Sequence, residues 1–240
     1  MRTLILSLRR RRRIVRGSSI VGGVTRVHVD LSRDFEPVHD AAKDGAGAYW
    51  YPRATRLSAK PDPGVVQVPL FEAGRQLYGI LSLGTFPDRT YRFALDLIRN
   101  GDPVMYFDFN ANGDLGDDGP PIPHAGEGRF SAEIGIPFER LVREVRLPGE
   151  LKIWMYSNEM LWPTRHLAHY SVTAMKGAVV LDGRRYLAYV AETKVNDADF
   201  TNDGIRVDAN RNGRIEREEF VAPGKTIEID GRRYAFDVSW

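Results

Sequence analysis

Between Val65 and Trp240 apolar residues recur at every second position in short runs that end in Gly, Asn, Asp or Pro. Phe130, Ala132, Ile134, Ile136 and Phe138 form one such run, and Leu151, Ile153 and Met155 another. A period of two places one face of an extended segment against a core, so these stretches predict strands. Pro137 followed by Phe138, Leu141, Val142 and Val145 has the spacing of a short helix with proline in its first turn. Nothing else in the chain calls for a long helix.

Two segments share a plan. Val179-Val180-Leu181-Asp182-Gly183-Arg184-Arg185-Tyr186 and Ile227-Glu228-Ile229-Asp230-Gly231-Arg232-Arg233-Tyr234 each set Asp-Gly between apolar runs. Asp-Gly accepts the two positive φ angles of a two-residue hairpin turn, which predicts Val179 opposite Tyr186 and Ile227 opposite Tyr234. The inward faces then read Leu181, Ala188 and Val190 in one copy and Ile229, Phe236 and Val238 in the other. A looser hairpin is expected from Leu81 and Leu83 to Tyr91, Phe93 and Leu95, turning within residues 84–89. Because hairpin, strand and loop follow one another twice, an internal duplication is expected over about 77–170 and 175–240, with the last hairpin closing the sheet or opening a third copy. The predicted fold class is mainly β: an antiparallel, hairpin-rich sandwich or open barrel with one or two short helices. Residues 1–64, with Lys43-Asp44-Gly45-Ala46-Gly47 and Lys60-Pro61-Asp62-Pro63-Gly64, are expected to be leader and linker to a domain at 65–240.

Charge changes the picture of the first residues only. Residues 1–16 hold seven arginines and no acid against a whole-chain formal charge of +2, so the remainder carries −5. A mildly acidic body argues against a nucleic-acid-binding domain. A secretory signal places its positive residues before the apolar stretch, whereas Met1 to Leu8 precede five arginines here, so no standard signal peptide is read. Arg12-Arg13 ahead of Ile14 and Val15 is a weak twin-arginine pattern. No apolar run approaches the eighteen or so residues of a membrane span, and the absence of cysteine excludes disulfides and thiolate zinc.

The candidate chemistry lies in two loops. Asp108, Asn110, Asn112, Gly113 and Leu115 match Asp208, Asn210, Asn212, Gly213 and Ile215, each set following an apolar strand. A calcium ion takes six to eight hard oxygens, and a twelve-residue loop supplies them from positions 1, 3, 5, 7, 9 and 12. In residues 208–219 these are Asp208, Asn210, Asn212, the carbonyl of Arg214, Glu216 through water, and Glu219 as a bidentate acid. In residues 108–119 Asp114 supplies position 7, Gly119 stands at position 12, and Asp117 or Asp118 is the substitute. The competing reading of Asn-x-Asn-Gly is a plain turn of residues that tolerate left-handed backbone.

The two loops resemble EF-hand calcium loops, and more closely the Asp-x-Asn-x-Asn-Gly loops of dockerin-like and related repeats in exported bacterial proteins. The resemblance covers a dozen residues per site and departs from a true EF-hand because strands, not helices, lead in. It implies bound Ca²⁺ without calmodulin-type helix opening. The oxygen-rich run from Asn196 to Gly204 is a secondary candidate, either for the second loop or for a third ion. His166 and His169 fall on opposite faces of a predicted strand and are set aside. Tyr49-Trp50-Tyr51 and Trp162-Pro163 are candidate sugar-stacking platforms.

The expected function is that of a calcium-stabilised, non-catalytic module of an exported bacterial protein, periplasmic or extracellular, with a glycan or protein as partner. A glycan-binding or adhesion module and a calcium-dependent hydrolase of extracellular polymers are the alternatives. In millimolar calcium Glu219→Ala is expected to lower the melting temperature more than Asp118→Ala, with chelator erasing the difference.

Overall fold

The computed structural model describes residues 18–39, 52–83, 90–138, 149–193 and 196–240. In chain order its strands are β1 (Ser18–Val21), β2 (Val24–Asp30), β3 (Phe35–His39), β4 (Arg53–Arg56), β5 (Gln76–Ser82), β6 (Thr90–Asp96), β7 (Val104–Phe107), β8 (Ile122–Pro123) and β9 (Phe130–Pro137). They continue as β10 (Glu150–Ser157), β11 (His166–Ser171), β12 (Thr173–Leu181), β13 (Arg184–Ala191), β14 (Ile205–Val207), β15 (Phe220–Val221), β16 (Ile227–Ile229) and β17 (Arg232–Ser239). The helices are one turn, α1 (Leu31–Asp34), and two 3₁₀ turns, Phe200–Asn202 and Arg217–Glu219.

Four open sheets result, in the orders β1-β2-β17-β16, β4-β11-β10-β9, β15-β14-β13-β12-β3 and β5-β6-β7-β8. The fold is mainly β and sandwich-like, and no sheet closes into a barrel. The alternation read from the sequence fixes faces as expected: in β9 and β10 Ile134, Ile136, Leu151, Ile153 and Met155 are buried, while Glu133, Lys152 and Trp154 face outward or are half-buried. One apolar cluster, running from Val27 to Phe236, includes side chains from all four sheets. Of the expected helix with Pro137 in its first turn, only Pro137 and Phe138 lie within the described residues; Pro137 instead ends β9, and Phe138 is buried.

The Asp-Gly hairpins form in the predicted register, with Val179 opposite Tyr186 and Ile227 opposite Tyr234. Both turns have positive φ at both central residues, 48° and 80° at Asp182 and Gly183 and 51° and 75° at Asp230 and Gly231, the type I′ geometry. The looser hairpin is present too, pairing Leu81 with Tyr91, and its turn lies outside the described residues.

The repeated motif has a reciprocal use. Tyr234 Oη donates to Asp182 Oδ2 at 2.6 Å and Arg232 pairs with Asp182 at 2.7 Å. In return, Tyr186 Oη donates to Asp230 Oδ2 at 3.0 Å and Arg184 pairs with Asp230 at 2.7 Å. Each Asp-Gly turn is thus held by the Arg and Tyr of the other copy, joining two sheets. Burial and the carboxylate of Asp182 push the Tyr234 phenol up to about 12.

The expectation that residues 1–64 are leader and linker is corrected where they are described. β2 pairs in parallel with β17 from Val24–Arg233 to Asp30–Ser239, β3 pairs with β12, and β4 with β11. Val27, Val29, Leu31 and Leu57 are core residues. The alternation of Val27 and Val29 between Arg26, His28 and Asp30 is a strand signal in its own right. The C-terminal hairpin therefore completes the sheet begun by β1 and β2. The arginine-rich residues 1–17 and the Tyr49-Trp50-Tyr51 platform lie outside the described residues.

Candidate metal centre

Both loops leave a strand that is third in an antiparallel meander, β5-β6-β7-β8 in one case and β12-β13-β14-β15 in the other. They start from the same point of the ladder: Asp108 N–H donates to Arg92 O and Asp208 N–H to Leu187 O, each at 2.9 Å. From there the hydrogen bonds match atom for atom. Asp108 Oδ1 accepts Asn112 N–H at 3.0 Å and Oδ2 accepts Gly113 N–H at 2.9 Å, while Asp208 accepts Asn212 N–H at 3.0 Å and Gly213 N–H at 2.8 Å. Asn110 Oδ1 and Asn210 Oδ1 each accept the N–H two residues on, at 2.9 Å. Asn112 Oδ1 accepts from Asp114 N–H at 2.7 Å, and Asn212 Oδ1 from Arg214 N–H at 2.8 Å. Such tandem side-chain caps force left-handed backbone between them, at Ala111 and Gly113 (58° and 86°) and at Arg211 and Gly213 (59° and 82°).

The closing acids correspond although their spacing differs. Glu219 Oε1 accepts the N–H groups of Ala209 and Asn210 at 2.8 and 3.2 Å, and Asp118 Oδ2 accepts Phe109 N–H at 3.0 Å. Glu216 takes the amide Nδ2 groups of Asn210 and Asn212 at 3.0 and 2.6 Å, and Asp117 takes those of Asn110 and Asn112 at 3.3 and 2.8 Å. Asp118 therefore stands for Glu219, one loop position earlier, and Asp117 for Glu216, one loop position later. Burial is the main reason the carboxyls of Asp108, Asp118 and Glu219 lie above their ordinary range, whereas hydrogen bonds, first that from Asn212, hold Glu216 below it.

Glu219 departs from the bidentate role expected of position 12. Its Oε2 accepts Glu216 N–H at 2.9 Å, so the carboxylate holds three backbone donors and keeps about one free lone-pair direction. Among the described residues no three Asp, Glu or His side chains gather closely enough to hold a metal by themselves. The remaining donors are the second lone pairs of Asp208, Asn210 and Asn212, the Arg214 carbonyl and Glu216. All are hard oxygens, which suits calcium and excludes soft metals.

The surroundings of the loops differ. Over the first lies a strap: Val66 N–H donates to Gly113 O at 2.9 Å and Leu115 N–H to Gln67 O at 3.1 Å. Asp62 fixes the strap through Arg92 at 2.9 Å, and Arg92 also lowers the Asp108 carboxyl against its burial. Leu115, at position 8, is buried, whereas Ile215 at the same position of the second loop is half-buried against Ala174, Tyr189 and Ala191. Among the described residues nothing straps the second loop at Gly213, and its Arg211 guanidinium lies 5.8 Å from the Tyr186 ring, beside the reciprocal contact with Asp230. Comparison with protein-family models, with proteins of curated function and with solved structures gives no match. The functional reading therefore rests on this geometry.

Of the residues set aside, His166 and His169 do fall on one strand, β11, and His169 is buried with Asn196 beside its ring. Trp162 is partly buried against the core, which leaves little of it for stacking. A different aromatic surface escaped the sequence reading. Trp154, Tyr156 and Tyr170, with the exposed Met160, line an open groove of about 800 Å³ that is rimmed by Glu127 and Asn158. The alternation of β10 placed Trp154 and Tyr156 on its outer face, and only the Trp154–Tyr170 register shows that β11 adds a third ring.

Proposed function

We propose that the chain is a calcium-stabilised, non-catalytic module whose two loops bind Ca²⁺. The observation that supports it best is the atom-for-atom correspondence of the loops despite their different closing acids. A turn needs only its Asx caps, whereas both loops also aim a second acid at the Asn side-chain amides and a third at the backbone N–H groups that follow the first Asp. An ion would compete with the Asn Nδ2 donors for Glu216 and Asp117 and draw on the Asn oxygens instead. Binding to the folded chain alone raises stability by linkage. The test is a melting curve with calorimetric titration in CaCl₂, MgCl₂ and chelator; absence of both heat and a calcium-dependent shift at millimolar concentration would overturn the reading.

Two asparagines per loop limit the negative charge facing an ion, so affinity in the roughly 10⁻⁴–10⁻³ M range of extracellular modules is expected. Sites of that affinity fill only where calcium is abundant, which supports residence in the periplasm or outside the cell; recovery of the intact chain from the cytosol by fractionation would argue against it. We also read the two meanders as duplicates. Replacing residues 108–119 by residues 208–219 should then preserve the fold, as far-ultraviolet circular dichroism would report. The Trp154, Tyr156 and Tyr170 groove favours a second reading, a glycan stacked on the outer face of β10 and β11; Trp154→Ala should abolish any hit on a glycan array.

A further inference from the structure

The ladder of β13 and β14 sets Ala188 opposite Val207, and the same register carried outward sets Glu192 opposite Asp203. Both are buried, at 8% and 1% exposure. Glu192 Oε2 accepts Asp197 N–H at 3.0 Å, and Asp203 Oδ1 accepts the N–H and hydroxyl of Thr193 at 2.7 and 2.6 Å. Their other oxygens, Glu192 Oε1 and Asp203 Oδ2, are buried without any hydrogen-bond partner. The buried carboxylates Asp96, Asp108, Asp208 and Glu219 show no such orphan. An unpaired buried carboxylate oxygen is costly, and two facing each other are costlier. Burial and the neighbouring acids Asp203 and Asp197 push the Glu192 carboxyl well up, and burial is the main reason Asp203 rises to about 6.

The connection between the two acids repeats the pattern of the loops. Asp197 Oδ1 accepts Asp199 N–H at 3.0 Å and Asp199 Oδ1 accepts Thr201 N–H at 3.2 Å, with Ala198 left-handed between them at 64°. Asp197, Asp199 and Thr201 thereby occupy positions 3, 5 and 7, and Asp203 falls at position 9, where the second loop has Glu216. Position 1 is Val195, which has no side-chain oxygen; Glu192 reaches in from the end of β13 instead.

We propose that Glu192 and Asp203 anchor a third site for a hard divalent cation, Ca²⁺ or Mg²⁺, in the β13–β14 connection. The orphan oxygens supply two ligands, Asp197 is the nearest further acid, and water completes the shell, since the acids do not converge three on one point. The site is separate from the two loops and stands or falls without them.

The experiment titrates the full chain with CaCl₂ and, separately, MgCl₂ by calorimetry, beside Glu192→Gln/Asp203→Asn and Glu219→Gln/Asp118→Asn. The expected result is one ion per chain fewer in Glu192→Gln/Asp203→Asn than in wild type, with a higher melting temperature in chelator because the facing charges are gone. The same ion must remain in Glu219→Gln/Asp118→Asn, and the cation that leaves it identifies the ligand. Equal stoichiometry in wild type and Glu192→Gln/Asp203→Asn overturns the proposal while leaving the loops intact; no binding in wild type overturns both readings. Should the double variant fail to fold, Mn²⁺ added to the wild-type chain must broaden the amide resonances of Thr193 and Asp197. Broadening confined to residues 108–118 and 208–219 overturns the site.

Discussion

Replacing Glu219 by alanine removes one carboxylate that receives the backbone N–H groups of Ala209, Asn210 and Glu216 at 2.8, 3.2 and 2.9 Å. Hydrogen bonds to a charged group contribute roughly 1.5–3 kcal/mol each, and the loop borders water that partly replaces them, so about 3 kcal/mol is lost without any ion. For a chain of this length that corresponds to roughly 6–12 °C. Asp118→Ala frees Phe109 N–H and should cost about 1–1.5 kcal/mol, or roughly 2–6 °C. Calcium at about a hundred times its dissociation constant adds roughly 2.7 kcal/mol per site, and each variant would forfeit that of its own loop in addition. The melting gap between the variants should therefore persist in chelator, and both variants should fall further below wild type in calcium than in chelator. The sequence alone led to the opposite expectation for chelator, because the backbone clamp is visible only in three dimensions. Differential scanning calorimetry of wild type and both variants in EDTA and in 10 mM CaCl₂, a concentration of about 100 Kd for a site near 10⁻⁴ M, decides the matter. For both variants, a deficit against wild type that is equal in the two solutions would sink the calcium reading, and a gap between the variants that vanishes in EDTA would sink the clamp.

Gly113 and Gly213 occupy the same loop position, yet a Cβ on Gly113 would stand 2.2 Å from Gly64 O while Gly213 faces open space. Gly213→Ala should cost roughly 1–2 kcal/mol for its left-handed backbone, and Gly113→Ala a further 1–3 kcal/mol for displacing the strap, as urea denaturation would measure. His169, 2% exposed and paired in register with Arg53, has its ring pulled from 6.5 to about 4 by burial. Its neutral form is favoured when folded, so its stabilisation is complete above pH 6.5 and is lost as pH falls toward 4, by about 3 kcal/mol; His169→Leu should flatten that part of the stability profile, and an unchanged slope would refute the assignment. Tyr186→Phe and Tyr234→Phe each remove a hydroxyl donor to a turn carboxylate and should each cost roughly 1–2 kcal/mol in urea. A loss below about 0.5 kcal/mol in both would mean that the reciprocal contacts do not join the sheets.

Local rules made several features legible in the amino acids. Period-two alternation set the faces of β9 and β10, because a pleated strand offers every second side chain to the core. Asp-Gly set the register of two hairpins, because few dipeptides accept two left-handed residues in succession. Asp-x-Asn-x-Asn-Gly set the course of both loops, because each short side chain caps the backbone two residues ahead. Long-range pairing was beyond these rules. The parallel ladder of β2 with β17 joins residues about two hundred positions apart, and nothing local in Val27 or Val29 names that partner. For the same reason the sequence displayed the Asp-Gly-Arg-Arg-Tyr repeat without its reciprocal grip, and the acids at 192 and 203 without their opposition. Both depend on which strands the apolar cluster brings side by side, a choice that hydrophobic burial makes for the chain as a whole rather than for any one segment.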